Sequence, residues 1–253
     1  MISLVDLLLE NINKPKAVFL AGPAGSGKSS FIKDNIPNLK VINIDDTYEE
    51  LLKKAGLDKP QSEFTSDELS QSSKLMGQAR KETTSKLKDA QEAGENIVID
   101  GTGAASNPIL KKKNQLEDLG YDTMMVMIYV SPLVSLERNK SRGDAGGRSL
   151  RPSIIVRTWN QVNKNIDAFK NMFGNDFILV NNDPKGADKT YNEEEIKKYF
   201  DQVTAAREYS DEEKAEKAKE KQELESSIKS LLSDLPEFTP QNQIKSKINE
   251  FLS

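Results

Sequence analysis

Gly22-Pro23-Ala24-Gly25-Ser26-Gly27-Lys28-Ser29 satisfies the phosphate-loop pattern G-x-x-x-x-G-K-[ST] without a mismatch. Its flanks fit as well. Lys16 to Ala21 (KAVFLA) reads as a short apolar strand, and Ser29 to Ile36 (SSFIKDNI) reads as a helix stopped by Pro37. The chemistry requires this order of strand, loop and helix. Glycines let the backbone curl so that successive N–H groups point at phosphate oxygens. The helix N-terminus adds the positive end of its dipole. On this reading Gly22 through Ser29, with Ser30 beside them, bind ATP. Lys28 reaches the β- and γ-phosphates and serves catalysis, and Ser29 ligates Mg²⁺.

Outward from the loop, apolar runs recur with helical stretches between them. Lys40–Ile44, Asn96–Asp100, Thr123–Val130 and Asp176–Val180 read as further strands. Helices are expected over Tyr48–Ala55, from Ser66 to Ala93 with a break near Gly77, from Pro108 to Gly120, from Pro132 to about Arg142, and from Pro152 to about Met172. The alternation predicts an α/β fold, a doubly wound parallel five-stranded sheet over residues 1–189. Met1–Glu10 reads as an amphipathic first helix rather than a signal peptide, because it is short, acidic and lacks a basic start. Residues 190–253 are expected to form a charged helical extension, read first as a solvated tail and alternatively as the means by which the chain would self-associate or meet a protein partner.

Composition narrows the chemistry. Of 253 residues 36% are hydrophobic and 30% charged, and no apolar run approaches the roughly 20 residues of a membrane span. The chain has no cysteine, which fits the cytoplasm, of the cell or of an infected host, and removes disulfides and thiolate metal sites. It has no histidine either, so a general base must be a carboxylate, lysine or tyrosine. The net charge of −4 gives no broad field for nucleic acid.

Three further features carry chemistry. Asp45-Asp46 follows the second strand, and the ligand site of such sheets lies beyond the carboxyl ends of the strands. Asp45 is the expected base for an attacking hydroxyl; Asp46 is placed with the substrate and is also the expected cap of the next helix. Asp100 ends the strand IVID and is expected to hold Mg²⁺ through water or to touch substrate, with Thr102 assisting. Arg138, Arg142, Arg148 and Arg151 surround Gly143, Gly146 and Gly147, and read as a mobile arginine lid over about 142–152. Arg142 and Arg138 rank first as transition-state cations, and Arg148 is assigned to the nucleotide.

GPAGSGKSS, VINIDD, IVIDGTG and LERNKSRG together resemble the kinase domain of phage-type 5′-hydroxyl polynucleotide kinases and the related zeta-toxin kinases, over about Lys16 to Asp183. That resemblance implies ATP-dependent transfer of the γ-phosphate to a hydroxyl of a nucleic-acid end or a nucleotide-sugar. It also implies Asp45 as base, Asp100 near the substrate, and Arg138 and Arg142 as charge stabilisers. The chain departs from the polynucleotide kinases in carrying Asp100-Gly101-Thr102-Gly103 after its third strand. A nucleoside monophosphate or gluconate-type kinase and a nucleotide-binding interaction protein are the alternatives.

Overall fold

The computed structural model describes residues 14–57, 59, 64–145, 149–184 and 236–253, with isolated helical positions between 215 and 228. Five parallel strands, β1 (Lys16–Ala21), β2 (Lys40–Asn43), β3 (Ile97–Asp100), β4 (Asp122–Tyr129) and β5 (Phe177–Asn181), form one sheet in the order β2-β3-β1-β4-β5. The sheet is the α/β architecture expected. Register brings the carboxyl ends together: Leu20 and Asn43 both pair with Asp100, and Tyr129 pairs with Asn181. Everything that follows a strand therefore emerges on one edge.

Helices α1 (Lys28–Asn35), α2 (Ile44–Lys54), α3 (Ser66–Glu92), α4 (Ser106–Asp118), α5 (Pro132–Asp144), α6 (Pro152–Lys164), α7 (Ile166–Phe173) and α8 (Gln241–Leu252) cover the sheet. Side chains alternate across a strand, so β1 feeds two cores. Ala17, Phe19 and Ala21 join Met125, Met127, Trp159, Val162 and Phe169 on one face. Val18 and Leu20 join Met124, Val126, Ile128 and Ile178 on the other. Strands apolar on both faces are what a buried parallel sheet requires.

The second face is closed by α8, whose Ile244 and Ile248 are buried in that core. The chain leading into it protects the edge strand β5. The Thr239 N–H donates to the Leu179 carbonyl (2.8 Å), and the Leu179 N–H donates to Thr239 Oγ1 (3.0 Å). Edge strands left unpaired invite association. The expected helices at Met1–Glu10 and between Asn192 and Ser233 lie outside the described residues or touch them only at isolated positions.

Several boundaries differ from expectation for physical reasons. The second strand stops at Asn43, and α2 starts at Ile44 because Asn43 caps it, its side chain accepting the Asp45 N–H at 2.8 Å. Asp46 is not that cap. Thr65 caps α3, in a reciprocal box with Glu68 (2.7 and 3.3 Å). This helix runs unbroken through Gly77, held by Ala79, Leu75 and Met76 packing on Tyr48, Leu51 and Leu52 of α2. Pro108 sits inside the first turn of α4, where its missing N–H costs nothing. The helix from Pro152 is two helices, broken at Asn165, whose Nδ2 donates to the Gly103 carbonyl at 3.0 Å.

Candidate active site

The phosphate loop lies between β1 and α1, over the carboxyl edge of the sheet. Gly25 and Gly27 take φ of +75° and +90°, a region glycine enters without penalty. A Cβ on Gly25 would stand 3.0 Å from the Ser135 carbonyl, so the helix behind the loop also demands glycine there. Within the loop, the Ser26 N–H donates to the Pro23 carbonyl (3.2 Å), and Lys28 Nζ donates to the Gly22 carbonyl (2.9 Å). The Gly22 N–H donates to the Thr102 carbonyl (3.1 Å), tying the turn after β3 to the loop. Ser26 is buried, while Ser29 and Ser30 stand exposed at the start of α1.

Three outward carbonyls of the loop are captured from the β4 and β5 side. Ser135 Oγ donates to Ala24 O (2.5 Å), Arg138 Nη1 to Gly25 O (3.0 Å), and Asn182 Nδ2 to Ser26 O (2.7 Å). Arg138 Nη2 donates to the Asn182 carbonyl (3.1 Å) as well. Arg138 therefore braces the loop from outside. Ser135 and Asn182 were not singled out as site residues in the sequence. Ser135 lies three positions before Arg138, on the same helical face, and Asn182 directly follows β5; only their positions hint at their partners.

The opposite flank is acidic. Asp45 and Asp46 lie in the first turn of α2, complementing its dipole. Asp100 is largely enclosed at the end of β3. Its Oδ2 accepts from Asn43 Nδ2 at 2.9 Å, whereas its Oδ1 is buried without a hydrogen-bond partner. Burial, with Asp46 and Asp45 adding, pushes the Asp100 carboxyl up to about 6 against the pull of Lys28. Burial likewise raises Asp46, helped by Glu49 and by Asp45. Burial lowers the Lys28 ammonium, opposed by Asp100 and Asp45 and reinforced by Arg142. Asp100, Asp45 and Arg142 are thus near enough for their charges to act on Lys28.

The orphaned Asp100 Oδ1 and the exposed Ser29 hydroxyl suit a hydrated Mg²⁺, which prefers few protein oxygens and completes its shell from water and phosphate. Among the described residues no group of three or more histidine, cysteine, aspartate or glutamate side chains gathers. Thr102 is exposed, and its hydroxyl accepts the Ala104 N–H at 3.4 Å.

The lid differs from expectation at one end. Gly143 is no hinge; it lies inside α5, and a Cβ there would meet Ser149 at 2.9 Å. Asn139, buried, holds Leu150 by two bonds, donating to its carbonyl (3.0 Å) and accepting its N–H (2.9 Å). The returning strand of the loop is thereby stitched to α5 one turn from Arg142, itself exposed. Arg151 precedes α6 and is exposed too, and Arg148 lies outside the described residues.

A complete phosphate loop, facing carboxylates and an arginine-bearing helix on the carboxyl edge of a five-stranded parallel sheet, defines the P-loop kinase type of fold. The zeta toxin family model matches residues 6–196 of the 253, and the chain belongs to the zeta toxin family. No curated protein matches the chain significantly in sequence. Among solved structures, the AvrRxo1-ORF1:AvrRxo1-ORF2 complex with ATP is similar at 14% identity and a TM-score of 0.50, over 90% of this chain and 83% of that one. The PezAT chromosomal toxin–antitoxin system of Streptococcus pneumoniae matches at 16% identity and a TM-score of 0.47, over 85% of this chain and 88% of that one. The Pnkp1/Rnl/Hen1 RNA repair complex matches at 20% and 0.48, over 62% of this chain and 47% of that one. These likenesses are of fold. No helix among the described residues is long and apolar enough to cross a membrane.

Proposed function

We propose that the chain is an ATP-dependent kinase that transfers the γ-phosphoryl group to a hydroxyl of a nucleotide-sugar. The observation that carries the reading is an intact phosphate loop on the carboxyl edge of the sheet, with Asp45 and Asp100 beside it and their charges, with that of Arg142, acting on Lys28. Loop N–H groups and Lys28 hold the triphosphate. Ser29 and Asp100 would hold Mg²⁺, which when bound neutralises phosphate charge. Asp45 accepts the acceptor's hydroxyl proton. The freed oxygen forms a bond to the γ-phosphorus as the bond to the β,γ-bridging oxygen breaks, and that electron pair leaves on ADP. Arg142 neutralises charge on the transferring group, and Arg148 is assigned to the nucleotide.

Membership of the zeta toxin family supports the nucleotide-sugar over a nucleic-acid end. So does charge, because Asp45, Asp46, Glu49 and Glu50 lie together on α2 beside the proposed base and would repel a long polyanionic strand more than the single diphosphate of a nucleotide-sugar. AvrRxo1-ORF1 is described in complex with AvrRxo1-ORF2, which supports a protein partner for this chain also.

The test is transfer of labelled γ-phosphate from Mg-ATP to a panel. The panel contains UDP-N-acetylglucosamine, 5′-hydroxyl DNA and RNA oligonucleotides, nucleosides, nucleoside monophosphates and gluconate, with Asp45→Asn as control. Label on the nucleotide-sugar, lost in the control, is expected. Label on an oligonucleotide alone would overturn the acceptor assignment.

A further inference from the structure

Glycine makes a phosphate loop possible and also makes it ambiguous. With no Cβ, Gly25 and Gly27 can adopt either sign of φ, so a peptide plane between them can turn over at little cost. Such a turn exchanges an N–H facing the nucleotide for a carbonyl oxygen, which repels phosphate. Across a planar trans peptide the C=O and the following N–H point in opposite directions. Whatever anchors the carbonyls therefore aims the amides.

We propose that Ser135, Arg138 and Asn182 are positioning residues whose three hydrogen bonds to the Ala24, Gly25 and Ser26 carbonyls hold the loop's peptide planes in the orientation that binds phosphate. The inference rests on the kinase reading and deepens it at the same site. Three consecutive carbonyls meet three donors (2.5, 3.0 and 2.7 Å), none of which comes from the loop itself. The Gly25 and Gly27 N–H groups are thereby turned away from the brace, and the Ser26 N–H is retained in the turn by Pro23.

The brace is itself rigid. Arg138 spans from the loop to the Asn182 carbonyl (3.1 Å), so α5 and the end of β5 act as one unit. The start of α5 is tied to the same place, the Ser131 N–H donating to Asp183 Oδ1 (2.7 Å) and the Asp183 N–H to Asn181 Oδ1 (3.0 Å). Ser135 is fully buried, where a hydrogen bond gains strength and an unmet partner is costly.

Calorimetry with ATP and with ADP on Ser135→Ala, Asn182→Asp and Arg138→Lys tests the proposal, alongside melting temperature and steady-state kinetics. Asn182→Asp is isosteric but turns a donor into an acceptor facing the Ser26 carbonyl. It is expected to weaken both nucleotides at least tenfold, more than Ser135→Ala at about fivefold. Arg138→Lys keeps the charge but cannot fork between two carbonyls, and is expected to lose as much as Ser135→Ala. The KM for ATP should rise by more than kcat falls, with the acceptor KM unmoved, a split that general loss of structure would not produce. Wild-type nucleotide affinity in Asn182→Asp and Ser135→Ala would overturn the brace. Should Arg138→Lys not fold, the half-exposed Asn182 still decides. Since the readout is binding, a failure to transfer phosphate to any acceptor bears on the kinase reading alone.

Discussion

The two flanks of the phosphate loop are built on opposite terms. On the β4–β5 side hydrogen-bond donors meet their acceptors: Ser135, Arg138 and Asn182 satisfy three loop carbonyls, and Asn139 and Leu150 satisfy each other. On the β2–β3 side carboxylates crowd one another, Asp100 carries a buried oxygen without a partner, and its carboxyl is raised to about 6. Dipoles can be saturated within the protein, but like charges held together cannot. The first flank is therefore finished as it stands. The second holds charge that the protein alone does not neutralise, and perturbed carboxylates of that kind cluster at functional sites.

The largest effects should fall on the acidic flank. Asp45→Asn removes the proposed base and is expected to lower kcat on the order of 10³-fold, while nucleotide binding measured by calorimetry stays near wild type. Near-normal kcat would transfer the base role elsewhere. Arg142→Ala is expected to lower kcat on the order of a hundredfold and to change ATP affinity much less. An effect confined to ATP affinity would make Arg142 a ground-state clamp.

Asp100 separates stability from activity. Its carboxyl titrates at about 6 in the folded state against 3.8 as the ordinary value. Between those values the folded state holds the proton more tightly than the unfolded one. Stability contributed by this group therefore falls as pH rises from about 4 to 6 and stays lower above. Asp100→Asn should abolish that slope and stabilise the protein at pH 7.5 by about 3 kcal/mol, with little gain near pH 4, even as transfer is lost. Thermal denaturation across pH measures this, and a variant less stable at pH 7.5 would show that the crowded flank stores no such tension.

What could be read in advance follows from how far apart the interacting residues lie. Contiguous patterns were legible: GPAGSGKS and the apolar runs around it specify the loop and the five strands, and Asp45 and Asp100 follow strands that share a carboxyl edge. The brace was not, because Ser135 and Ala24, or Asn182 and Ser26, are brought together only by the strand order β1-β4-β5. Helix limits failed where one side chain decides. Asn43 rather than Asp46 caps α2, and Asn165 breaks a helix that composition alone would continue. α8 was expected within a solvated extension, yet Ile244 and Ile248 meet a sheet face whose vacancy no linear pattern discloses.

The smallest effects give the finest test of the same contrast, because two glycines lie in helices on opposite flanks. Both have ordinary helical backbones, so alanine at either gains about 0.5–1 kcal/mol from the reduced freedom of the unfolded chain. At Gly77 of α3, on the acidic flank, nothing lies within 4 Å of an added Cβ, and Gly77→Ala should raise stability by that full amount. At Gly143 of α5, on the finished flank, the Cβ would meet Ser149 Cβ and Oγ at 2.9 Å. The Asn139–Leu150 stitch leaves Ser149 little room to withdraw, so Gly143→Ala should lose stability by roughly 1 kcal/mol. The two melting temperatures should move in opposite directions. Destabilisation by Gly77→Ala would mean that α3 bends there after all, and a stabilising Gly143→Ala would mean that the loop beyond α5 is free to move as a lid.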